Sequence, residues 1–358
     1  MKYLFLRMTA LLLVLLLSTA CSEQGVPVTG TEPNESQTSS YEVVAEELRS
    51  PWDIAFAEET IYISEREGTI VKLEGDKMTR QEVQLNKPLN ASGEGGFLGF
   101  VLTPQFSETK QAYAYHTYKE SGEIFNRVVL LMESESGWSE MKTLIEGIPG
   151  ASTHNGGRMA IGPDDKFYIT TGDAGKESLA QEVSSLAGKI LRLELDGGIP
   201  ADNPFEGSYV YSLGHRNPQG LVWDAEGKLY ITEHGPSGFP GGHDEINLIT
   251  AGGNYGWPEI IGDEQKEGMT SPLYHTGDTA IAPSGTTITA DGQMLIATLR
   301  GETLYAYDPA KHTLQVRLEG EGRLRDVKIH QGQVYVITNN TDGRGSPSET
   351  DDRLIRLR

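Results

Sequence analysis

The 358-residue chain holds one cysteine, Cys21, so an intramolecular disulfide and a thiolate metal cluster are both excluded. Basic residues are scarce: 30 Lys and Arg stand against 51 Asp and Glu, a formal net charge of -21 at pH 7. Nucleic-acid binding needs clustered Lys and Arg, so no nucleic-acid partner is expected, and the acidic balance mainly favours solubility. No segment keeps a convincing helical period, which points away from helical folds. Long apolar runs are missing too, and the run Leu11 to Leu17 is too short to span a bilayer in the mature protein.

That run follows Lys2 and Arg7 and is followed by Ser18, Thr19 and Ala20, the pattern of an export signal over residues 1–20. Its end, LSTAC, resembles a bacterial lipoprotein signal, in which the cysteine after a small residue is lipidated and becomes the mature N-terminus. The other reading is an ordinary secretory signal with a chance cysteine at Cys21. The expectation is an exported protein, lipid-anchored on the outer face of the bacterial cytoplasmic membrane or periplasmic, touching the membrane only through that anchor. Residues 21–40 are rich in Ser, Thr, Glu, Pro and Gly and almost devoid of large apolar residues, the composition of a flexible tether. Residues 41–358 form the folded part.

One theme recurs in that part: an apolar-alternating strand, a turn such as PDDK, DAEGK or ADGQ, and a second strand with Tyr or a branched apolar residue. It begins at Trp52, Phe97, Gly157, Gly220, Gly285 and Arg325, a spacing of roughly 40 to 65 residues typical of a repeat architecture. Most copies are followed by a further strand, for example GTIVKLEG, RVVLLMES, GKILRLELDG and ETLYAYDP. Short strands joined by Gly/Asp turns indicate an all-β fold. Radial repetition of small sheets lets such units bury their faces without long open edges. The predicted fold is a six-bladed β-propeller of four-stranded antiparallel blades, with its site where loops meet over the central channel. The last blade needs a closing strand from near Tyr41 to Leu48. A β-helix or a pair of sandwiches fits less well, because the copies are too long for the first and too regular for the second.

The chemistry-bearing residues sit where these repeats begin and end. His154, in a Gly-rich approach to the third copy's first strand, is placed to act as a general base near neutral pH; a loop histidine by itself is more often structural. Arg216 and Asn217 occupy the equivalent place one copy later and offer a fork of donors plus an amide to a carboxylate or quinone oxygen, unless Arg216 merely pairs with a neighbouring acid. Arg300, in ATLRG, and Arg323 and Arg325, two apart and so on one face of an extended segment, complete a positive funnel suited to a small, multiply anionic ligand. Glu233, Asp244 and Glu245, with backbone carbonyls near Gly235, Pro236 and Tyr255, supply oxygen, which suits calcium better than zinc. No EF-hand spacing is present, and these acids alone are also explained as turn caps.

The ordered set GEGGFLGF, STHNGGR, GHRNPQG, EHGP, DEIN with GGNYGWP, ATLRG and RLRDV resembles the soluble quinoprotein sugar dehydrogenases, most closely their aldose sugar dehydrogenase branch. The resemblance runs from Pro51 to the C-terminus. It implies a six-bladed propeller binding pyrroloquinoline quinone (PQQ) and calcium, which oxidises the C1 hydroxyl of an aldose to the lactone. By the same resemblance His154 is the base, Arg216 and Asn217 contact the quinone oxygens, Arg323 and Arg325 lie against the cofactor, and Arg300 stands where the family usually has lysine. The Gly235 and Pro236 carbonyls match ligands of the cofactor-bound calcium, and Glu245 with Tyr255 resembles a second calcium site.

Three departures stand out. Glu94 replaces a glutamine that contacts the cofactor in glucose-specific members, so its carboxylate is expected to be protonated or turned away. His234 replaces glutamine before Gly235, as is usual in the aldose branch. The stretch from Ile260 to Pro283 lacks the large insertion that the glucose-specific relatives use for dimerisation and substrate contact, which implies a monomer with an open site and broad aldose tolerance. Two other readings are a calcium-dependent sugar lactonase, which would need acids clustered on the channel, and a non-catalytic cell-surface binding propeller. Neither the preferred sugar nor the external electron acceptor is encoded in a legible motif.

Overall fold

The computed structural model describes residues 40–237 and 241–358. The export signal, most of the tether and Cys21 lie outside the described residues. Within them, the helical pieces are one turn at Phe106–Thr109 and a 3-10 turn at Glu177–Gln181, and the rest is strand and connection. The strands follow the alternation and β-branched content of the repeats.

Four hydrogen-bonded sheets have four strands each, and a fifth has eight. The eight-stranded sheet consists of two antiparallel meanders, residues 51–84 and 97–149, joined only by the short parallel pairing of Val83 with Trp138 and Gln84 with Ser139. The other sheets take residues 159–213, 218–275 and 283–319 in order, and the last combines 324–357 with the N-terminal strand Tyr41–Ala45. That strand, within the stretch expected to close the last sheet, pairs antiparallel with Leu354–Leu357 in the register Tyr41 to Leu357 and Glu42 to Arg356. Arg356 and Arg358 both reach the Glu42 carboxylate across this seam.

The first strands, Pro51–Ala57, Phe97–Leu102, Met159–Ile161, Pro218–Trp223, Pro283–Ile288 and Leu324–His330, touch one another in that cyclic order and back to the start. They are largely buried, whereas fourth strands such as Lys77–Gln84 and Thr313–Glu319 are mostly exposed. This is the architecture of a β-propeller. Its apolar core lies between neighbouring sheets: Trp52, Leu98, Tyr115, Met159 and Leu191 form one cluster, and Leu48, Ile54, Ile63, Ile337 and Leu354 form another across the closing seam.

The ring's axis is polar. Arg158 pairs with Asp53 at 3.0 Å and with Asp326 at 3.2 Å, lies 4.1 Å over the Trp52 ring and donates to the Gln219 carbonyl. Asp326 accepts from the Ile54 amide and Asp53 from the Phe100 amide. Buried charges persist only when paired and hydrogen-bonded, and this network ties the first, second, third and last sheets together at the axis.

Candidate active site

Antiparallel pairing sets the start of each first strand beside the end of each second strand: Met159 opposes Ile169, Pro218 opposes Glu233 and Leu324 opposes Thr338. Loops before the one and after the other therefore gather at one end of the ring, and they carry nearly all the residues singled out above.

His154 has a left-handed backbone, φ 56°, held by its own amide, which donates to Glu94 Oε2 at 2.9 Å. Its Nδ1 lies 2.7 Å from Asp173 Oδ1. Asp173 is fully buried and also accepts from Gly175 N at 2.7 Å and Trp257 Nε1 at 2.9 Å. Burial works against that carboxylate's charge, but the hydrogen bond and charge of His154, then Gly175 and Trp257, outweigh it and hold the carboxyl below its ordinary value. An ionised carboxylate only accepts, so Nδ1 carries a proton, and in the neutral imidazole Nε2 is the acceptor. Gly172 is required here: a Cβ on it would meet the His154 carbonyl oxygen at 2.0 Å.

Beside this dyad opens a cavity walled by Trp52, Asn155, Asn217, Gln219 and Leu299, with Arg66, Arg325 and Arg344 as its cations and Glu94 and Asp342 as its acids. Asn217 Oδ1 accepts from Gly156 N and Gln219 Nε2, which fixes the amide plane. Arg323 donates to the Leu299 carbonyl and to Asp342, while Arg325 lies 4.0 Å from Asp342 and 6.0 Å over Trp52. Burial pushes Arg325 down to about 9, with Arg66, Arg323 and Arg158 acting the same way against Asp342. A guanidinium remains charged, so the shift registers cations short of anions. Arg323 Nε and Arg325 Nε are buried without partners. A flat polycarboxylate such as PQQ meets both needs. Arg300 is exposed and lies outside this lining.

A second, smaller cavity adjoins the first and is bounded by Arg216, Glu233, Gly235, Pro236, Glu245 and Tyr255, with His234 shared between the two. Arg216 donates to Ser237 Oγ at 2.9 Å and the His234 carbonyl at 3.4 Å, lies 5.4 Å over Trp257, and keeps a buried Nε without a partner. Its amide and that of Asn217 donate to Glu233, whose other oxygen holds His215. Asp244 accepts from Gly235 N, Ile281 N and Ala282 N, so it shapes the Gly235–Pro236 turn. Burial pushes His234 down to about 4, so the ring is neutral. Burial, then the charges of Glu233 and Asp244, pushes Glu245 up to about 8, the behaviour of an oxygen site short of a cation. Among the described residues no three His, Cys, Asp or Glu side chains converge as a metal site. A calcium ion here would rest on the backbone carbonyls of Gly235 and Pro236, and a second on Glu245, oxygen donors that suit this hard cation. The Tyr255 hydroxyl is already spent, donating to the Leu248 carbonyl and accepting from Thr250 N, so Tyr255 has only its carbonyl to offer.

Of the two states expected for Glu94, protonation does not fit, because its carboxylate is ion-paired: Oε1 pairs with Arg344 at 2.8 Å and Oε2 takes the His154 amide. Burial opposes the charge, but these contacts prevail and hold the carboxyl below its ordinary value.

The profile of the glucose / sorbosone dehydrogenase family matches residues 48–355. The chain belongs to this family. It is 34% identical over 301 residues to quinoprotein glucose dehydrogenase B of Acinetobacter calcoaceticus, a match covering 74% of this chain and 62% of that protein, so the chain spans less than two thirds of that relative's length. It is 27% identical over 350 residues to an aldose sugar dehydrogenase of Escherichia coli, covering 86% and 91%. The PQQ-bound form of an aldose sugar dehydrogenase from Streptomyces coelicolor superposes with a TM-score of 0.81 at 38% identity, over 90% of this chain and 98% of that one. The relatives named here are sugar dehydrogenases, and so oxidoreductases. Asp173, Trp257, Arg66, Asp342 and Arg344 escaped sequence reading. Asp173 alone had a local signal, in TTGDAG at the end of the strand Phe167–Thr171.

Proposed function

We propose that this glucose / sorbosone dehydrogenase family member is a six-bladed, PQQ- and calcium-dependent enzyme that oxidises the C1 hydroxyl of an aldose to the lactone. The ring of six contacting first strands supports the blade count. The observation that carries the activity is the His154–Asp173 dyad beside a cavity whose arginines outnumber its carboxylates, with Arg323 Nε and Arg325 Nε buried without partners.

When bound, PQQ would supply the acceptor for the hydride that leaves C1, and calcium would supply Lewis acidity where negative charge grows. His154 Nε2 takes the hydroxyl proton, and Asp173 stabilises the imidazolium that results. Arg216 and Asn217 hold the quinone oxygens, Arg216 adding fixed positive charge. Arg323 and Arg325 face the carboxylates. The Gly235 and Pro236 carbonyls hold the cofactor's calcium, and Glu245 with the Tyr255 carbonyl holds a second ion. Ion-pairing of Glu94 removes the objection that favoured a scaffold-only protein, and arginines rather than acids dominate the cavity, against a lactonase.

The test is reconstitution: the protein from Ser22 onward, with calcium and PQQ added, assayed by dye reduction against a panel of aldoses. Reduction that needs sugar and both additions is expected; no binding of PQQ refutes the reading. We also propose a monomer, exported and anchored through Cys21. Replacing Cys21 by Ser should release it from the membrane fraction, and an unchanged distribution refutes the anchor.

A further inference from the structure

Glu94 joins two loops at the mouth of the first cavity. Its amide donates to the Ser152 carbonyl at 2.8 Å, and its carboxylate receives the His154 amide. The junction is tight: Gly93 has φ +61°, and a Cβ there would lie 2.2 Å from Ser152 O. Arg66 braces the same loop from the other side by donating to the carbonyls of Gly93 and Gly95. None of these neighbours except Arg344 is close enough to neutralise the carboxylate by a direct ion pair.

Arg344 arrives from a loop of the last sheet, 250 residues away in sequence. Its loop is ordered by Asp342, which accepts the Arg344 amide through Oδ1 and the Arg323 guanidinium through Oδ2. The contacts therefore run unbroken from Arg323 through Asp342 and Arg344 to Glu94 and the backbone of His154. The Arg344 side chain is 56% exposed and that of Glu94 28%, so the pair is formed at the rim rather than in the core.

We infer that Arg344 is a positioning residue of the cofactor cavity: its ion pair with Glu94 cancels the carboxylate that would repel an anionic ligand and clasps the last sheet's rim loop to the main chain of His154. This rests on the reading of the cavity as a PQQ site. Without Arg344 the cavity's acids equal its remaining cations, Glu94 and Asp342 against Arg66 and Arg325, and Glu94 becomes an unpaired negative charge at its mouth. With Glu94 made neutral as well, the loss of Arg344 removes no compensation. Dependence on Arg344 thus exists only while Glu94 is charged.

The test is direct titration of the full-length apoprotein with PQQ in the presence of calcium, read by quenching of tryptophan fluorescence, since Trp52 walls the cavity. Arg344→Ala is expected to weaken PQQ binding on the order of tenfold at low salt, with the gap narrowing as salt screens the exposed charges. Glu94→Gln/Arg344→Ala should bind within about twofold of Glu94→Gln alone, the margin within which uncoupled changes add. Arg344→Lys, which keeps the charge, should recover most of the loss. The inference is overturned if Arg344→Ala binds like the wild type, or if the double variant is as far below Glu94→Gln as Arg344→Ala is below the wild type. Failure of the wild type itself to bind PQQ sinks the cofactor reading and this inference with it, whereas normal wild-type binding with no coupling sinks this inference alone.

Discussion

Replacing Asp173 by Asn tests the dyad at its least forgiving point. The carboxylate accepts three hydrogen bonds: His154 and Gly175 on Oδ1, Trp257 on Oδ2. An amide cannot serve all three. With its oxygen toward His154 and Gly175, its NH2 faces the Trp257 N–H; reversed, it donates to His154 Nδ1, forces the proton onto Nε2 and faces the Gly175 N–H. Either way one buried donor is stranded, a cost of about 1–3 kcal/mol in stability. The second arrangement also removes the base. Even in the first, the imidazolium formed on proton transfer loses its counter-charge. Two unit charges about 4 Å apart at an effective dielectric near 20 interact by about 4 kcal/mol. At 1.36 kcal/mol per decade, that is a fall in kcat on the order of 10³. Steady-state dye reduction at saturating PQQ and calcium, with PQQ binding measured separately, gives the answer. A variant that binds PQQ normally and keeps kcat within about threefold of the wild type would refute both the base assignment and the role of Asp173.

Gly172→Ala pushes a methyl group into the His154 carbonyl, so kcat is expected to fall about 10²-fold with the melting temperature also reduced, checked by turnover and thermal unfolding. Chelation with EGTA should lower the melting temperature of the wild type, by about 2.7 kcal/mol of stability if calcium had been present at 100 times its Kd; Glu245→Gln should lose most of that difference. His116 is buried and pushed down to about 4 by burial and then by the Arg127 charge. Its folded value lies below its unfolded one, so this stability is present above about pH 6.5 and lost as pH falls toward 4, up to about 3 kcal/mol. Urea unfolding across that range should register the loss, and His116→Gln should flatten it.

Local pattern carried the strands and much of the chemistry. Alternation and Gly/Asp turns located each first and second strand, and the need for a closing strand pointed to Tyr41. His154, Arg216, Asn217, Arg323 and Arg325 were legible because each stands at a strand start, where repeat phase alone says which end of the ring it occupies. Their partners were not. Arg344 reaches Glu94 across 250 residues and Trp257 reaches Asp173 across 84, and such pairs depend on how the loops cross, which no window of sequence contains. Glu94 shows the same limit: the residue was visible, its counter-ion was not. Arg300 has the right phase, but it is exposed and is not among the residues that line the cavity. The turn at Phe106–Thr109 shows no periodicity because four residues are too few to display one.

The seam between Tyr41–Ala45 and Leu354–Leu357 sets a schedule for synthesis. Glu42 meets Arg356 over a separation of 314 residues. At ordinary translation speeds the first strand therefore waits roughly 15 to 60 seconds for its partner to be made. Until then neither the nascent strand nor Gln333–Thr338 has its neighbour, and both present backbone edges that invite pairing with another chain. A copy cut short before Leu354 would remain permanently in that state, so truncation at this end should produce aggregation rather than a slightly smaller enzyme.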